Sequence, residues 1–219
     1  LPLPLIQTAL WMSSYYATHL ATVWQTILPS GLTKNRRLTP DKITSNAPSN
    51  RIKKVFTKDQ QAALQTIETM LSGTMLLHGI TGSGKTLVYI EAAKQALKEE
   101  LSSIILVPEI ALTSQLVSEF SKHFPKIILT HSKQTEAQRH AAWKEIINSN
   151  DPVIVIGPRS ALFAPVQQLG LIVIDECHEP SFKQEQSPRY SALRTAAVLA
   201  QHHNAKLVLG SATPGIADY

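Results

Sequence analysis

The chain has 219 residues, 43% hydrophobic and 17% charged, a length and composition sufficient to bury the core of one substantial domain. Its single cysteine, Cys177, excludes an intrachain disulfide and a zinc site built from cysteines, and no run of 18 apolar residues offers a membrane-spanning helix. The net charge of +5 is unevenly laid: residues 1–54 carry seven Lys/Arg (Lys34, Arg36, Arg37, Lys42, Arg51, Lys53, Lys54) against Asp41, while residues 55–219 carry fourteen against fifteen acids. A basic arm beside a near-neutral domain fits either a neighbouring polyanion or a solvated linker. The opening LPLPLIQTAL has no initiator Met and no basic region, so it does not read as a secretory signal. The expectation is a cytoplasmic protein, of which this chain is a piece.

Along the chain, Ile6, Leu10, Tyr16, Leu20, Val23, Trp24 and Ile27 recur at spacings of three and four. They predict an amphipathic helical segment within residues 1–32, broken near Thr18 as a second N-cap and ended by Pro29, Ser30 and Gly31. Residues 33–54 hold two prolines and most of the basic charge with no apolar period, a linker. Thr57 with Gln60 is a capping-box pattern opening a helix whose apolar side is Leu64, Ile67 and Leu71. Strands are then predicted at 75–78, 103–107, 127–130, 153–156, 171–174 and 207–210, and helices near 85–100, 111–123, 135–148 and 191–203. Continuous β-branched and leucine runs are buried on both faces, the habit of a mostly parallel sheet flanked by helices. Alternation with helices gives an α/β lobe over residues 55–219, preceded by the short helical segment. His202 and His203 read as surface residues of the 191–203 helix.

After the first strand comes Gly79-Ile80-Thr81-Gly82-Ser83-Gly84-Lys85-Thr86, which fits G-x-x-x-x-G-K-[ST]. Glycines let the backbone curl so that successive N–H groups face phosphate oxygens, and the following helix points its positive end at the same anion. Lys85 is expected to reach the β- and γ-phosphates and Thr86 to ligate Mg²⁺. Leu171–Ile174 runs directly into Asp175-Glu176-Cys177-His178, placing a carboxylate pair at a strand's carboxyl end, where open α/β sheets bind ligands. Asp175 is expected to hold Mg²⁺, and Glu176 to orient or deprotonate the attacking water. Cys177 reads as a small apolar residue beside the strand. Ser211-Ala212-Thr213 puts two hydroxyls at another strand exit, where they could sense the γ-phosphate through the acidic residues.

These elements, in this order, resemble superfamily 2 helicases, whose motifs I, II and III read GxGKT, DExH and SAT. The longer strings Leu106–Thr113, His131-Ser132, Gly157–Phe163, Asp175–Gln184, Pro188-Arg189-Tyr190 and Leu209–Pro214, with Trp11-Met12-x-x-Tyr15-Tyr16 and Leu28-Pro29-x-Gly31-Leu32, resemble the PriA family of primosomal replication-restart helicases. The resemblance implies a RecA-like P-loop lobe carrying motifs Q, I, Ia, Ib, II and III, with Gln60 reading adenine. It implies coupling through His178, Ser211 and Thr213, and DNA-backbone contacts at Pro108, Glu109, Arg159 and Ser160. Phe182, Lys183, Arg189 and Tyr190 would form an aromatic-rich loop that either stacks bases of single-stranded DNA or simply anchors itself in the fold. ATP and Mg²⁺ would be the cofactors. Single-stranded and forked DNA, primosome and restart proteins and single-stranded DNA-binding protein would be the partners, with no membrane. Cys177 stands where the family usually has Glu, and Pro158 stands where its GTRSA motif has Thr, which removes a hydroxyl and a backbone donor. A second motor lobe with arginine fingers, a zinc-binding insertion and a winged-helix domain are expected elsewhere in a whole protein. Two alternatives accompany this reading: another superfamily 2 translocase on RNA or DNA, or a nucleotide- and DNA-binding module without turnover.

Overall fold

A computed structural model describes residues 1–29, 55–108 and 115–215. Two helices, α1 (Leu3–Tyr15) and α2 (Leu20–Ile27), precede the lobe. The break falls at Ala17, in left-handed conformation, and the second helix is capped by His19, whose Nδ1 accepts from the Ala21 N–H. Thr18, expected to be that cap, instead donates its hydroxyl to the Tyr16 carbonyl. The lobe then runs α3 (Lys58–Thr69), β1 (Gly73–His78), α4 (Lys85–Lys98), β2 (Ser102–Leu106), α5 (Gln115–Ser121), β3 (Ile128–Leu129), α6 (Glu136–Ile147), β4 (Ile154–Gly157), β5 (Leu169–Ile174), α7 (Ala192–His203) and β6 (Lys206–Ser211). The Thr57–Gln60 capping box forms as predicted. The third strand is only two residues long, shorter than the predicted 127–130, and residues 111–114 of the predicted 111–123 helix lie outside the described residues.

Among the described residues the six strands form one sheet in the order β1-β6-β5-β2-β4-β3, every pairing parallel. The strand pleat sends alternate side chains to opposite faces. Ile104, Leu106, Ile172, Ile174, Leu207 and Leu209 join one buried cluster, while Ile105, Leu171, Val173 and Val208 join the other. Helices α3, α4 and α5 supply the second cluster through Ile67, Tyr89, Ala93 and Phe120. The first is covered by α7 and also by the N-terminal pair: Leu5, Ala9, Met12, Val23 and Ile27 are all buried in it.

The helical segment is thus packed into the lobe. Tyr16 accepts the Ser191 N–H at its hydroxyl, 3.1 Å, and the Arg194 guanidinium lies 5.7 Å from the centre of the Tyr15 ring. His202 and His203 are half-buried, which corrects their assignment to the surface; burial, with His202 beside it, lowers His203 to a pKa of about 4. No helix among the described residues is long and apolar enough to cross a membrane.

Met12 is fully buried where α1 meets the lobe, so Met12→Ala is expected to cost about 2–5 kcal/mol of stability through lost transfer energy and a residual cavity. Urea unfolding followed by far-UV dichroism should show one transition moved to lower denaturant. A separate early transition, with the main one unmoved, would mean that the helical pair folds independently of the lobe.

Candidate active site

Parallel strands all leave the sheet at the same edge, and the phosphate loop after β1, the Asp175-Glu176 pair after β5 and Ser211 at the end of β6 sit there. The first is the loop 79–84 between β1 and α4. Gly82 and Gly84 have φ of +82° and +84°, the left-handed region that side chains disfavour, and a Cβ at Gly79 would stand 2.8 Å from the Ser83 hydroxyl. The curl is closed by Ser83 N–H donating to the Ile80 carbonyl and held to β6 by Gly79 N–H donating to Ser211 O, both 3.1 Å. Lys85 and Thr86 open α4, where an α-helix leaves its first N–H groups without intrahelical acceptors and presents a partial positive charge. Lys85, 9% exposed, donates through its ammonium to the Gly79 carbonyl at 2.7 Å, and the ammonium lies 3.8 Å from Glu176 Oε1. Its close partners are therefore carbonyls of its own loop, which a phosphate would displace. The loop and helix terminus suit a polyphosphate.

Gln60 stands against this loop. Its Oε1 accepts from Thr57 N–H in the capping box, and its Nε2 donates to the Ser83 carbonyl at 2.8 Å. The amide expected to read adenine is thus engaged with backbone on both sides, tying α3 to the phosphate loop.

At the end of β5 the chain turns sharply. Asp175 N–H donates to Leu106 O of β2 and Cys177 N–H to Gly210 O of β6, both 2.9 Å. Between these clamps Glu176 takes φ +48°, a left-handed conformation costing a non-glycine residue about 1–2 kcal/mol. The strained turn sets the Glu176 carboxylate between Lys85 and His178, whose Nδ1 is 3.6 Å from Glu176 Oε2 and 2.7 Å from Ser211 Oγ. Ser211, fully buried, also accepts the Thr213 N–H at 3.0 Å. The predicted coupling residues therefore form one chain of contacts from β5 to β6.

Asp175 has a neighbour the sequence reading missed. Tyr89, on α4, donates its hydroxyl to Asp175 Oδ1 at 3.0 Å. Burial pushes the Asp175 carboxyl above its usual range, against the opposing Tyr89 hydrogen bond and Lys85 charge. Burial and the Asp175 charge push the Tyr89 phenol far above its own, so it remains a donor. Asp175 and the Thr86 hydroxyl supply hard oxygen donors of the kind Mg²⁺ takes, and on that chemistry they fit the ion. Among the described residues no group of three or more His, Cys, Asp or Glu forms a metal cluster of another kind.

The DNA-contact expectations divide. Ser160, Lys183 and Arg189 are exposed. Pro108 is buried, and Glu109 lies outside the described residues. Phe182 and Tyr190, both 2% exposed, sit in the core cluster with Tyr190 edge-on to Phe163. Neither ring offers a free face to a base, so the stacking role is corrected to that of loop anchors. Arg159 donates through one guanidinium nitrogen to the carbonyls of Ser181 and Lys183, at 2.8 and 2.9 Å, fastening the 3₁₀ turn Arg159–Phe163 to that loop.

The raised Asp175 carboxyl means that the folded chain binds this proton more readily than the unfolded chain. The site is therefore easiest to fold below the ordinary carboxylate range, and stability falls as pH rises through the folded value. Asp175→Asn, which keeps an oxygen for Tyr89, is expected to stabilise the chain at pH 7 by roughly 0.5–2 kcal/mol, with the gain shrinking toward about pH 4. Urea midpoints of both chains across that range check it; a variant less stable at pH 7 would contradict the burial account.

Residues 57–219 match the DEAD/DEAH box helicase family. The chain is 42% identical over 169 residues to the replication restart protein PriA of Bacillus subtilis, covering 75% of this chain and 21% of that protein. It is 36% identical over 218 residues to PriA of Helicobacter pylori, covering 98% and 33%. The chain thus spans between a fifth and a third of the length of these relatives. Among solved structures, the DUF1998 helicase MrfA superposes with a TM-score of 0.51 at 20% identity, over 75% of this chain and 28% of that one, a likeness of fold. The family match runs from the Thr57 cap through the phosphate loop, the Asp175-Glu176 turn and the β6 exit: the chain belongs to the DEAD/DEAH box helicases.

Proposed function

We propose that the chain is the ATP-binding first lobe of a PriA-like DNA helicase. In the whole protein it would couple ATP hydrolysis to 3′-to-5′ movement on single-stranded DNA at stalled or repaired forks. There it would act with primosome and restart proteins and single-stranded DNA-binding protein. The observation that carries this reading is the convergence of Lys85, Asp175 and Glu176 at one edge of the sheet, with Lys85 and Glu176 3.8 Å apart although they leave from different strands.

In the proposed mechanism the loop Gly79–Gly84 and the first turn of α4 cradle the phosphates, and Lys85 exchanges its loop carbonyls for β- and γ-phosphate oxygens. Thr86 and Asp175 would hold Mg²⁺, which when bound would supply Lewis-acid stabilisation of the phosphate charge. Glu176, held by its turn within reach of Lys85, orients the attacking water and takes its proton. His178 then reports the state of Glu176 to Ser211 and on to Thr213, since its imidazole meets both Glu176 and Ser211 and the Ser211 hydroxyl accepts the Thr213 N–H. On the DNA side, Ser160, Lys183 and Arg189 meet the strand's backbone, while Arg159, Phe182 and Tyr190 hold the loop that carries them. Gln60 would read adenine only after exchanging its bond to Ser83.

Two measurements test the reading. Binding of a fluorescent ATP analogue should weaken at least tenfold in Lys85→Ala, while Glu176→Gln should keep binding and lose roughly 10²-fold or more of any turnover. Unchanged affinity in Lys85→Ala would refute the phosphate-loop assignment. ATP turnover is then measured alone, with forked DNA and with structured RNA. Little turnover is expected from this lobe by itself, because a facing arginine typically contributes roughly 10³- to 10⁵-fold in such motors. Stimulation by RNA in preference to DNA would favour an RNA translocase.

A further inference from the structure

We infer that Tyr89 is a positioning residue for the metal-holding carboxylate: its buried hydroxyl sets how Asp175 presents its oxygens to Mg²⁺ at the nucleotide. The inference rests on the reading above, in which Asp175 and Thr86 hold the ion.

Three observations converge on it. Tyr89 is fully buried in the helix-packed face of the sheet, and burying a phenol is costly unless its hydroxyl finds an acceptor. The acceptor it finds is Asp175 Oδ1, 86 positions along the chain. A phenylalanine would fill the same space without that cost, so the hydroxyl is not explained by packing. The neighbouring strand also leaves room for this contact. At Gly210 of β6 a Cβ would stand 1.7 Å from the Tyr89 oxygen and 2.8 Å from Cζ, with Asp175 Oδ1 at 3.5 Å. Gly210 has no positive φ, so its glycine serves space rather than backbone conformation. Finally, Tyr89 follows Thr86 by three residues and Lys85 by four, spacings that share a helix face. One rigid helix thus carries the phosphate-binding cation, the metal-binding hydroxyl and the group that orients the facing carboxylate. Loop motion at either end leaves their mutual placement unchanged.

The test is Tyr89→Phe in the 219-residue chain, read by binding of a mant-labelled ATP, first in EDTA and then with MgCl₂ titrated. Thermal unfolding in EDTA is followed alongside to show that the variant is folded. The expected result is metal-free affinity close to that of the parent, with the Mg²⁺ concentration giving half of the metal-dependent gain raised about tenfold or more. A purely structural tyrosine would move both affinities together. If the parent itself gains nothing from Mg²⁺, the assignment of Asp175 and Thr86 falls. If the parent gains and the variant's midpoint is unchanged or lower, or its metal-free affinity falls in the same proportion, the positioning role of Tyr89 is overturned.

Discussion

Burial of the parallel sheet on both faces is the constraint from which the rest of this lobe follows. A strand such as Ser102–Leu106 has no solvated side, so its residues alternate between two cores rather than between core and water. Covering both faces takes crossovers that leave one end of the sheet and return to the other, α-helices after β1, β2, β3 and β5 and the 3₁₀ turn Arg159–Phe163 after β4, and those crossovers make every pairing parallel. All strand exits then open on one edge, and groups distant in sequence become neighbours there. Lys85, Asp175, Glu176 and Ser211 leave from three different strands and meet without any long loop having to reach across.

Placement at one edge is not yet geometry. The turn after β5 supplies that by being fastened on both sides, to Leu106 on one neighbour and Gly210 on the other. Two backbone hydrogen bonds, typically about 1 kcal/mol each, roughly offset the cost of forcing Glu176 into a left-handed conformation. Strain held this way is stiff, so the Glu176 carboxylate stays between Lys85 and His178. The adjoining Asp175 is held from the opposite direction by Tyr89, and burial makes its charge expensive in the folded chain.

The N-terminal helices extend the same logic away from the edge. Leu5, Ala9 and Met12 complete the core beneath α7, and Tyr16 fastens the N-terminus of α7 at Ser191. Ser191 in turn bridges Lys183, at the start of the loop that Arg159 fastens through Ser181 and Lys183. The loop bearing the exposed cations Lys183 and Arg189 is therefore held by rings turned inward, Phe182 and Tyr190, and by a segment more than 150 residues earlier.

The α/β alternation, all six strands and the phosphate loop were legible in the sequence because each rests on local pattern: continuous apolar runs, helical spacing, and glycines where φ must be positive. The carboxylate pair at a strand exit was legible for the same reason. What local pattern misread was direction. Phe182 and Tyr190 are aromatic residues in a polar loop, a composition that fits stacking on a base as well as anchoring in a core, and only the packing against Phe163 decides between them. Tyr89 reads in sequence as one more buried residue of an amphipathic helix. That its hydroxyl meets Asp175, and that Gly210 makes way for it, depends on which strands lie side by side. Strand order is set by how the crossovers pack across the whole sheet, a long-range property that no window of sequence contains.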